Sequence, residues 1–352
     1  MPSPEVRDGD IRDSDIRDGD IRDGHTRDAE ISVLVTGVGG PAAIGVLKSL
    51  RGDPSVELLA ADMDCWAAGL YLVPPAARAV IPAGLAPEFT ELLLARCLEL
   101  GADVVIPTVD AELRPLAAAR RTFEQAGVAL MLAPATALDL TLDKLALARA
   151  CTGVVRVPRT EPLDAGLDPD SWSYPVVVKP RTGSGSRDIS VIVSAAELKA
   201  LEPSSDFIIQ EYLPGEEYSI DVLADIDGRV VAGVPRVRAR VDSGVSVAGR
   251  TLHDRELEWF GAAVAERVGL TFISNVQVRR DQEGQPALLE VNPRVPGSLP
   301  LTVASGVDMP RLALDALRGR PLPEHIEFCE KAMVRFLDER FLDLSEISAT
   351  AA

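Results

Sequence analysis

Short apolar segments alternate with segments of helical periodicity from Ile31 onward. Three segments have the length and composition of buried strands: ISVLVTG (31–37), VELLAAD (56–62) and ADVVIPT (102–108). Three others carry apolar side chains at helical spacing: PAAIGVLKSL (41–50), FTELLLARCLEL (89–100) and ELRPLAAARRTFEQAG (112–127). This alternation predicts an α/β unit over residues 31–135, a doubly wound parallel sheet with helices on its faces.

The pattern then changes to α+β, and two further units are expected. Residues 136–213 form the second, with a helix at 138–153 and strands at 174–180, 188–193 and 206–213. Residues 214–340 form the third. Its elements are strands at 218–225 and 229–241, a helix at 255–269, a hairpin across 275–291, a helix at 309–319 and a strand at 331–337. Residues 341–352 are expected to be a tail.

Within residues 1–30, residues 6–30 repeat a charged pentapeptide, VRDGD, IRDSD, IRDGD, IRDGH, TRDAE. One apolar residue in five cannot form a core, so we expect a disordered tail. A pentapeptide β-solenoid is the alternative, but it needs more stacked copies.

The formal net charge of −18 argues against binding to nucleic acid or to an anionic membrane surface. The four cysteines lie far apart, without the spacing of a zinc site or a disulfide framework. No apolar run is long enough to span a bilayer, and we interpret the protein as cytoplasmic.

The hairpin SNVQVRRDQEGQPALLEVNPR (274–294) carries the strongest chemical signal. Folding its arms together brings Gln277 near Glu290, and Glu290 and Asn292 share a strand face because they are two residues apart. One carboxylate and two amide oxygens suit a hard cation such as Mg²⁺ at bound phosphates. Arg294 can bind a phosphate or carboxylate through two hydrogen bonds. The alternative is a surface hairpin whose polar face is exposed to solvent.

Lys179 ends the apolar strand YPVVVKP, and RTGSGSRD follows it. The backbone N–H groups of such a loop can close over phosphates while the lysine neutralises charge. We therefore select Lys179 and the loop residues Gly183, Ser184, Gly185 and Ser186, although a flexible hairpin loop has the same composition. Lys144 is a further candidate phosphate ligand.

The segment IIQEYLPGEEYSID (208–221) has the pattern of a nucleotide hinge. Backbone groups near Glu211, Tyr212 and Leu213 can hydrogen-bond an adenine edge, and Leu213 can pack on its face. Glu217 can accept hydrogen bonds from ribose hydroxyls. A polar connection between domains is the alternative.

Taken in this order, these segments resemble the ATP-grasp superfamily, and above all the branch that contains the large subunit of carbamoyl-phosphate synthetase. SNVQV…LLEVNPRVPGS is the most specific match, and the resemblance covers residues 31 to about 340. It implies a nucleotide clamped between two subdomains, 136–213 (the lid) and 214–340, behind an N-terminal pre-ATP-grasp domain.

The resemblance also implies residue roles. Lys144 and Lys179 would contact phosphates, Glu217 the ribose, and Arg294 the acyl phosphate. Gln277, Glu290 and Asn292 would hold Mg²⁺ or Mn²⁺, although many relatives carry an acid in place of Gln277. The implied activity is ATP-dependent ligation of a small carboxylate to an amine. The chain lacks the synthetase's repeated second half, so carbamoyl phosphate synthesis is not expected.

Two other functions stay open. GVGGPA (37–42) fits a dinucleotide fingerprint, with Asp62 and Asp64 at a plausible distance for a ribose contact, so an NAD-dependent oxidoreductase is an alternative. Pro41 departs from typical fingerprints. A nucleotide-binding regulator without turnover is the other alternative.

The second substrate is expected between the N-terminal domain and strand 229–241. Ligands of open α/β sheets bind at the carboxyl ends of the strands, which here are marked by Gly39 and Gly40 and by Asp110 and Glu112. The two acids would suit an amino group, unless they only cap the following helix. Arg236, Arg238 and Arg240 alternate along one strand and would suit an anion, unless they guard a solvated edge.

Both charges together favour small-molecule carboxylate and amine substrates such as amino acids. A homodimer is left open.

Overall fold

The computed structural model describes residues 30–183, 188–242 and 244–351. The predicted disordered tail therefore lies, except for Glu30, outside the described residues. Glu30 itself continues into the first strand, because its backbone N–H donates to the carbonyl of Ser55 at 3.0 Å.

The N-terminal unit is a five-stranded parallel sheet with strand order β3-β2-β1-β4-β5. Its elements are β1 (Ile31–Thr36), α1 (Pro41–Leu50), β2 (Val56–Asp62), β3 (Arg78–Val80), α2 (Phe89–Leu100), β4 (Val104–Ile106), α3 (Asp110–Gln125) and β5 (Ala129–Leu130). Two short 3₁₀ helices, Ala68–Leu72 and Pro75–Ala77, connect β2 to β3. The predicted doubly wound sheet is confirmed.

The strand order reverses at β1, which has β2 on one side and β4 on the other. This reversal opens a crevice at the carboxyl ends of these strands. Gly37 ends β1 with a left-handed φ of 65°, and a Cβ at this position would collide with Val109 beyond β4. Only glycine lets the two loops approach this closely.

The middle segment contains two helices and a small antiparallel sheet, which we call the middle sheet, with strand order β6-β9-β7-β8. Its elements are α4 (Ala135–Thr141), α5 (Lys144–Cys151), β6 (Thr160–Leu163), β7 (Val176–Pro180), β8 (Ser190–Ile192), α6 (Ala195–Lys199) and β9 (Ser204–Glu211). A 3₁₀ turn at Pro169–Ser171 lies between β6 and β7.

The helix predicted at 138–153 is wrong as a single element, because it is divided at Asp143. The Asp143 side chain accepts the backbone N–H groups of Leu145 and Ala146 at 3.0 and 3.1 Å and so begins α5 as its N-cap.

The C-terminal unit is a six-stranded sheet with order β14-β13-β10-β11-β12-β15. Its elements are β10 (Glu217–Ala224), β11 (Val230–Asp242), β12 (Val245–Thr251), α7 (Arg255–Val268), β13 (Phe272–Arg280), β14 (Pro286–Asn292), α8 (Leu299–Ala304), α9 (Met309–Leu317), β15 (Ala332–Val334) and α10 (Leu344–Ala351). Helix α10 forms where a tail was expected, and it is held to β3 by an ion pair between Arg78 and Glu346.

Two hydrophobic cores hold these sheets. The larger core is continuous through the N-terminal and C-terminal sheets, where α1 packs against α8 and α9. Helices α4 and α5 pack on α7 and β14 and belong to this core. The middle sheet has a separate core around Trp172, Val176 and Ile209. The limits of the units drawn from the sequence stay predictions. No helix in the described part of the chain is long and apolar enough to cross a bilayer.

Candidate functional site

A cavity of about 710 Å³ lies between the carboxyl ends of the parallel sheet and one face of the C-terminal sheet. Its two walls carry opposite charge. The N-terminal wall presents Asp62, Asp64, Asp110 and Glu112, beside Gly39 and Gly40. The opposite wall presents Arg236, Arg238, Arg294, Gln277, Glu290 and Asn292. This arrangement suits a ligand, or a pair of ligands, with both an anionic and a cationic group.

The predicted oxygen cluster comes together on the C-terminal wall. Gln277 and Glu290 are direct partners across β13 and β14, and Asn275 is opposite Asn292. No group of three or more His, Cys, Asp or Glu side chains in the described ranges is placed to hold a metal ion. A single carboxylate with two amides fits Mg²⁺ that takes most of its ligands from phosphates and water, as magnesium usually does at nucleotides.

Two lysines converge on the same carboxylate. Lys144 Nζ lies 3.8 Å from Glu290 Oε2 and donates to the carbonyl of Gly183 at 2.7 Å. Lys179 is only 6% exposed. Burial lowers the pKa of Lys179 to about 8, while Glu290 opposes this shift and Lys144 adds to it. The fold thus concentrates two ammonium groups beside one carboxylate, which is a favourable place for phosphate oxygens.

The stem of the glycine loop is fixed by Asp143. Its carboxylate forms a two-pronged ion pair with Arg181, with contacts of 2.6 and 2.8 Å, and the backbone N–H of Lys144 donates to the Arg181 carbonyl. The carbonyl of Gly183 accepts the hydrogen bond from Lys144. The other predicted phosphate-binding residues of this loop, Ser184, Gly185 and Ser186, lie outside the described residues.

The predicted hinge is held by ion pairs and a backbone hydrogen bond that the sequence did not predict. The Glu211 side chain accepts from Arg156 at 2.6 Å, and Arg156 also reaches Asp281 at 3.2 Å. Gly215 donates its N–H to the Arg280 carbonyl at 2.9 Å, and a Cβ on Gly215 would lie 2.5 Å from that oxygen. The hinge backbone is therefore anchored to the end of β13.

The remaining hinge residues lie as follows. Leu213 is buried and Tyr212 is partly buried. Glu217, predicted to contact the ribose, is paired with Arg238, predicted to contact an anion. Their roles toward a nucleotide stay predictions.

One face of the middle sheet is apolar and partly open. Lys179 and Val177 share a face of β7, because they are two residues apart, and Val177 pairs with Val191 of β8. Val191 is 51% exposed, and its neighbours Ile189 and Val193 are also exposed. Lys179 on this face lies close enough to Glu290 of β14 for their charges to interact, so this face is directed at the C-terminal sheet. An exposed apolar face of this kind can pack against a planar ring such as a nucleotide base.

The predicted row of three arginines does not form one anion-binding face. Arg236 is 2% exposed and is bound by the fully buried Asp221 on the neighbouring strand, at 2.6 and 2.8 Å. A register irregularity follows Val237, so Arg240 does not continue the same alternation, and it is exposed outside the cavity lining. Of the three arginines in this row, Arg236 and Arg238 line the cavity and Arg240 does not. The common face predicted from alternation is therefore wrong.

Asp110 and Glu112 are not helix caps. Val109 is the N-cap of α3, and no side chain caps this helix. Asp110 instead pairs with Arg294 of the opposite wall, through contacts of 2.7 and 3.0 Å. Glu112 accepts the Thr36 hydroxyl at 2.5 Å. Burial raises the pKa of Glu112 to about 7; the Thr36 hydrogen bond opposes this rise and the Asp62 charge adds to it.

The glycine loop after β1 uses Asp62 for its own structure. Gly39 donates its backbone N–H to Asp62 at 2.7 Å, and Asp64 donates its backbone N–H to the other oxygen at 3.0 Å. Both carboxylate oxygens of the residue that an NAD ribose would need are thus engaged by the protein's own backbone.

A profile of the family described as "ATP-grasp in the biosynthetic pathway with Ter operon" matches residues 203–339, the stretch that contains β10 to β14 and the oxygen cluster. Over this stretch the chain is similar to ATP-grasp proteins.

A curated relative agrees with this family match. A carbamoyl phosphate synthase large chain from Thermoanaerobacter sp. (strain X514) is 27% identical over 168 residues, which cover 43% of this chain and 16% of the relative. The chain therefore spans only a small part of that relative's length.

Solved structures share the ATP-grasp fold. A biotin carboxylase from Campylobacter jejuni superposes with a TM-score of 0.69 at 16% identity, covering 83% of this chain and 72% of the other. An N5-carboxyaminoimidazole synthetase from Staphylococcus aureus gives 0.67 at 16% identity, covering 85% and 80%. An L-amino acid ligase from Bacillus licheniformis gives 0.62 at 16% identity, covering 82% and 74%. At such identities the likeness shows the fold alone.

Proposed function

We propose that this protein is an ATP- and Mg²⁺-dependent ligase that activates a small carboxylate as an acyl phosphate and joins it to an amine, with release of ADP and phosphate. The observation that carries the proposal is that Lys144 and Lys179 lie close to Glu290, which lines a cavity whose opposite wall is acidic. Candidate phosphate-binding cations thus lie behind the C-terminal wall, at Glu290, and the acidic residues lie across the cavity from it.

The nucleotide fits between the middle sheet and the C-terminal sheet. The base would lie against the apolar face formed by Val177 and Val191, beside the hinge residues Glu211, Tyr212 and Leu213. Its phosphates would extend toward Lys144 and Lys179, since both ammonium groups lie near Glu290. Phosphate oxygens in this position would favour the charged form of Lys179, whose burial now disfavours it. Glu217 would leave Arg238 to meet the ribose.

The protein's residues would act mainly by orienting the reactants and neutralising charge. Glu290, with Asn292 and Gln277, would hold Mg²⁺, which would neutralise and polarise the phosphates. Lys144 and Lys179 would neutralise the γ-phosphate as the substrate carboxylate attacks it, and Arg294 would stabilise the acyl phosphate. The glycine loop that includes Gly183, Ser184, Gly185 and Ser186 would exclude water from this mixed anhydride.

The second substrate would approach from the acidic wall. Asp110 and Glu112 suit an ammonium group, and Gly39 and Gly40 leave room for it close to the backbone. The ammonium group would first lose a proton to solvent. Its nitrogen would then attack the acyl carbon, the bond from that carbon to the phosphate oxygen would break, and phosphate would leave. The presence of cationic and anionic walls favours amino-acid-like substrates. The L-amino acid ligase among the solved structures of this fold makes amino acids the first class to test.

A phosphate-release screen tests the proposal. Purified protein with ATP and Mg²⁺ is challenged with pooled carboxylates and pooled amines, separately and together. We expect release that requires a carboxylate and is increased by an amine, with ADP rather than AMP as the nucleotide product. Glu290→Ala should abolish this release, whereas Glu283→Ala, in the exposed turn of the same hairpin, should not change it.

The same assay separates the alternatives. Thermal stabilisation by MgATP without phosphate release from any pool would support a nucleotide-binding regulator. Stabilisation by NAD in place of ATP would contradict the proposal altogether.

A further inference from the structure

Each arginine that lines the cavity is paired with a carboxylate of the protein. The pairs differ in whether the anionic group of a ligand could replace that carboxylate on the arginine. Asp221, the partner of Arg236, has no exposed surface and also accepts from Asn275 at 2.8 Å and from Thr302 at 2.5 Å. Removing Arg236 from this carboxylate would leave a charge buried without its counter-ion, which is strongly unfavourable. The Arg236 pair is therefore a fixed part of the sheet.

The Arg294 pair is different in each of these respects. Its partner, Asp110, begins a helix of the other unit, 184 residues away in the chain. The side chains are 18% and 22% exposed, and both line the cavity. Because the pair reaches water, either partner can be solvated when the contact breaks. The contact also uses Nε and one terminal nitrogen of Arg294, the two-pronged geometry with which a guanidinium binds any carboxylate.

We propose that Asp110 is an internal occupant of the substrate-carboxylate subsite, and that the incoming carboxylate replaces it on Arg294. This inference rests on the proposed function, since it assigns the anion that the ligase would activate to Arg294 and not to Arg236. The replacement exchanges one carboxylate for another on the same two nitrogens, so Arg294 keeps an anionic partner throughout. Asp110 is released into a cavity that then receives the amine.

Self-occupancy has a measurable consequence for affinity. A ligand that binds only when Asp110 has left Arg294 has an apparent dissociation constant raised by the inverse of the open fraction. If the closed pair is favoured by about 1.4 kcal/mol, the expected reduction in affinity is about tenfold. Asp110→Asn removes the competing charge and should restore this factor.

Acetate serves as the probe, because it presents a carboxylate and little else. Isotope-labelled acetate is titrated against the full-length protein at constant ionic strength, and binding is followed by NMR line broadening. We expect Asp110→Asn to bind acetate about tenfold more tightly than wild type, and Arg294→Gln to show no saturable binding in either background. Asp64→Asn is the matched control. It removes one charge from the same wall, where Asp64 is exposed and accepts the backbone N–H of Trp66, so it tests for a general change of field.

Three outcomes would overturn the inference. Asp110→Asn could bind acetate no better than wild type, or no better than Asp64→Asn. Arg294→Gln could retain the site. Asp110→Asn could fail to fold, which would show that the pair is a structural requirement and not an exchangeable contact.

MgATP is titrated against the same variants by thermal shift. Absence of MgATP binding in the wild type would reject the proposed function while leaving the acetate result to be judged separately.

Discussion

Glu112 offers a test of the cavity's electrostatics that needs no knowledge of the substrates. Its carboxyl is buried, hydrogen-bonded to Thr36 and close to Asp62. Burial raises its pKa from 4.5 to about 7, a rise to which Asp62 contributes and which Thr36 opposes. At about 1.4 kcal/mol per pH unit, this corresponds to roughly 3 kcal/mol of unfolding free energy.

The sign follows from proton binding. Between pH 4.5 and about 7 the folded protein holds this proton while the unfolded chain has lost it. The stabilising contribution is therefore complete below pH 4.5 and is lost as the pH rises through about 7. Glu112→Gln cannot ionise, and its side-chain oxygen can still accept from Thr36. The variant should thus gain stability relative to wild type, by up to roughly 3 kcal/mol, as the pH rises toward about 8.

Urea unfolding of both proteins across this range measures the difference directly, and other titrating groups cancel. Glu124→Gln, on the exposed face of the same helix α3, is the matched control, because it makes the same chemical change outside the cavity. A stability difference for Glu112→Gln that does not change with pH, or that changes no more than the control, would refute the reasoning, because it would mean that Glu112 is equally solvated in the folded and unfolded protein.

Three further predictions concern the site and its surroundings. Asp143→Ala should lower the free energy of unfolding by about 1–2 kcal/mol and raise the KM for ATP, because it removes the N-cap of α5 and the ion pair with Arg181. An unchanged free energy of unfolding in urea together with an unchanged KM would contradict this. Asp110→Asn should lower the KM for the carboxylate and raise that for the amine in steady-state kinetics, whereas a change in melting temperature alone would indicate a purely structural residue. Deleting residues 1–29 should leave the melting temperature unchanged, because their repeat has too few apolar residues for a core; a large drop would show that they pack on the body.

The sequence predicted those parts of the molecule that depend on local pattern. Strands β1, β2 and β4 of the parallel sheet follow the predicted apolar runs, whereas the short strands β3 and β5 were not predicted. The Gln277–Glu290 pairing follows from a single hairpin. The division of the helix at Asp143 was missed, although an aspartate before a helical segment is a common N-cap and could have indicated it.

Contacts between distant elements were not predictable in this way. Asp110 meets Arg294 only because two units dock, and no periodicity records that geometry. Asp221 on the adjacent strand binds Arg236, and a register irregularity after Val237 moves Arg240 out of the cavity lining. Neither feature is encoded in the alternation of the three arginines. Alternation can indicate a shared face, but only the register of the neighbours decides which side chain is buried and with what partner.

The separate core of the middle sheet implies that this sheet can unfold while the rest of the protein stays folded. Leu163, Trp172, Val176, Val178, Ile192, Leu198 and Ile209 form this small core, while the two larger sheets share a continuous one. The backbone amides of β7 and β9 should then exchange with solvent through a partial unfolding event of lower free energy than that which exposes β1 or β10. A nucleotide bound beneath the middle sheet would slow exchange there first, so hydrogen exchange would report occupancy strand by strand.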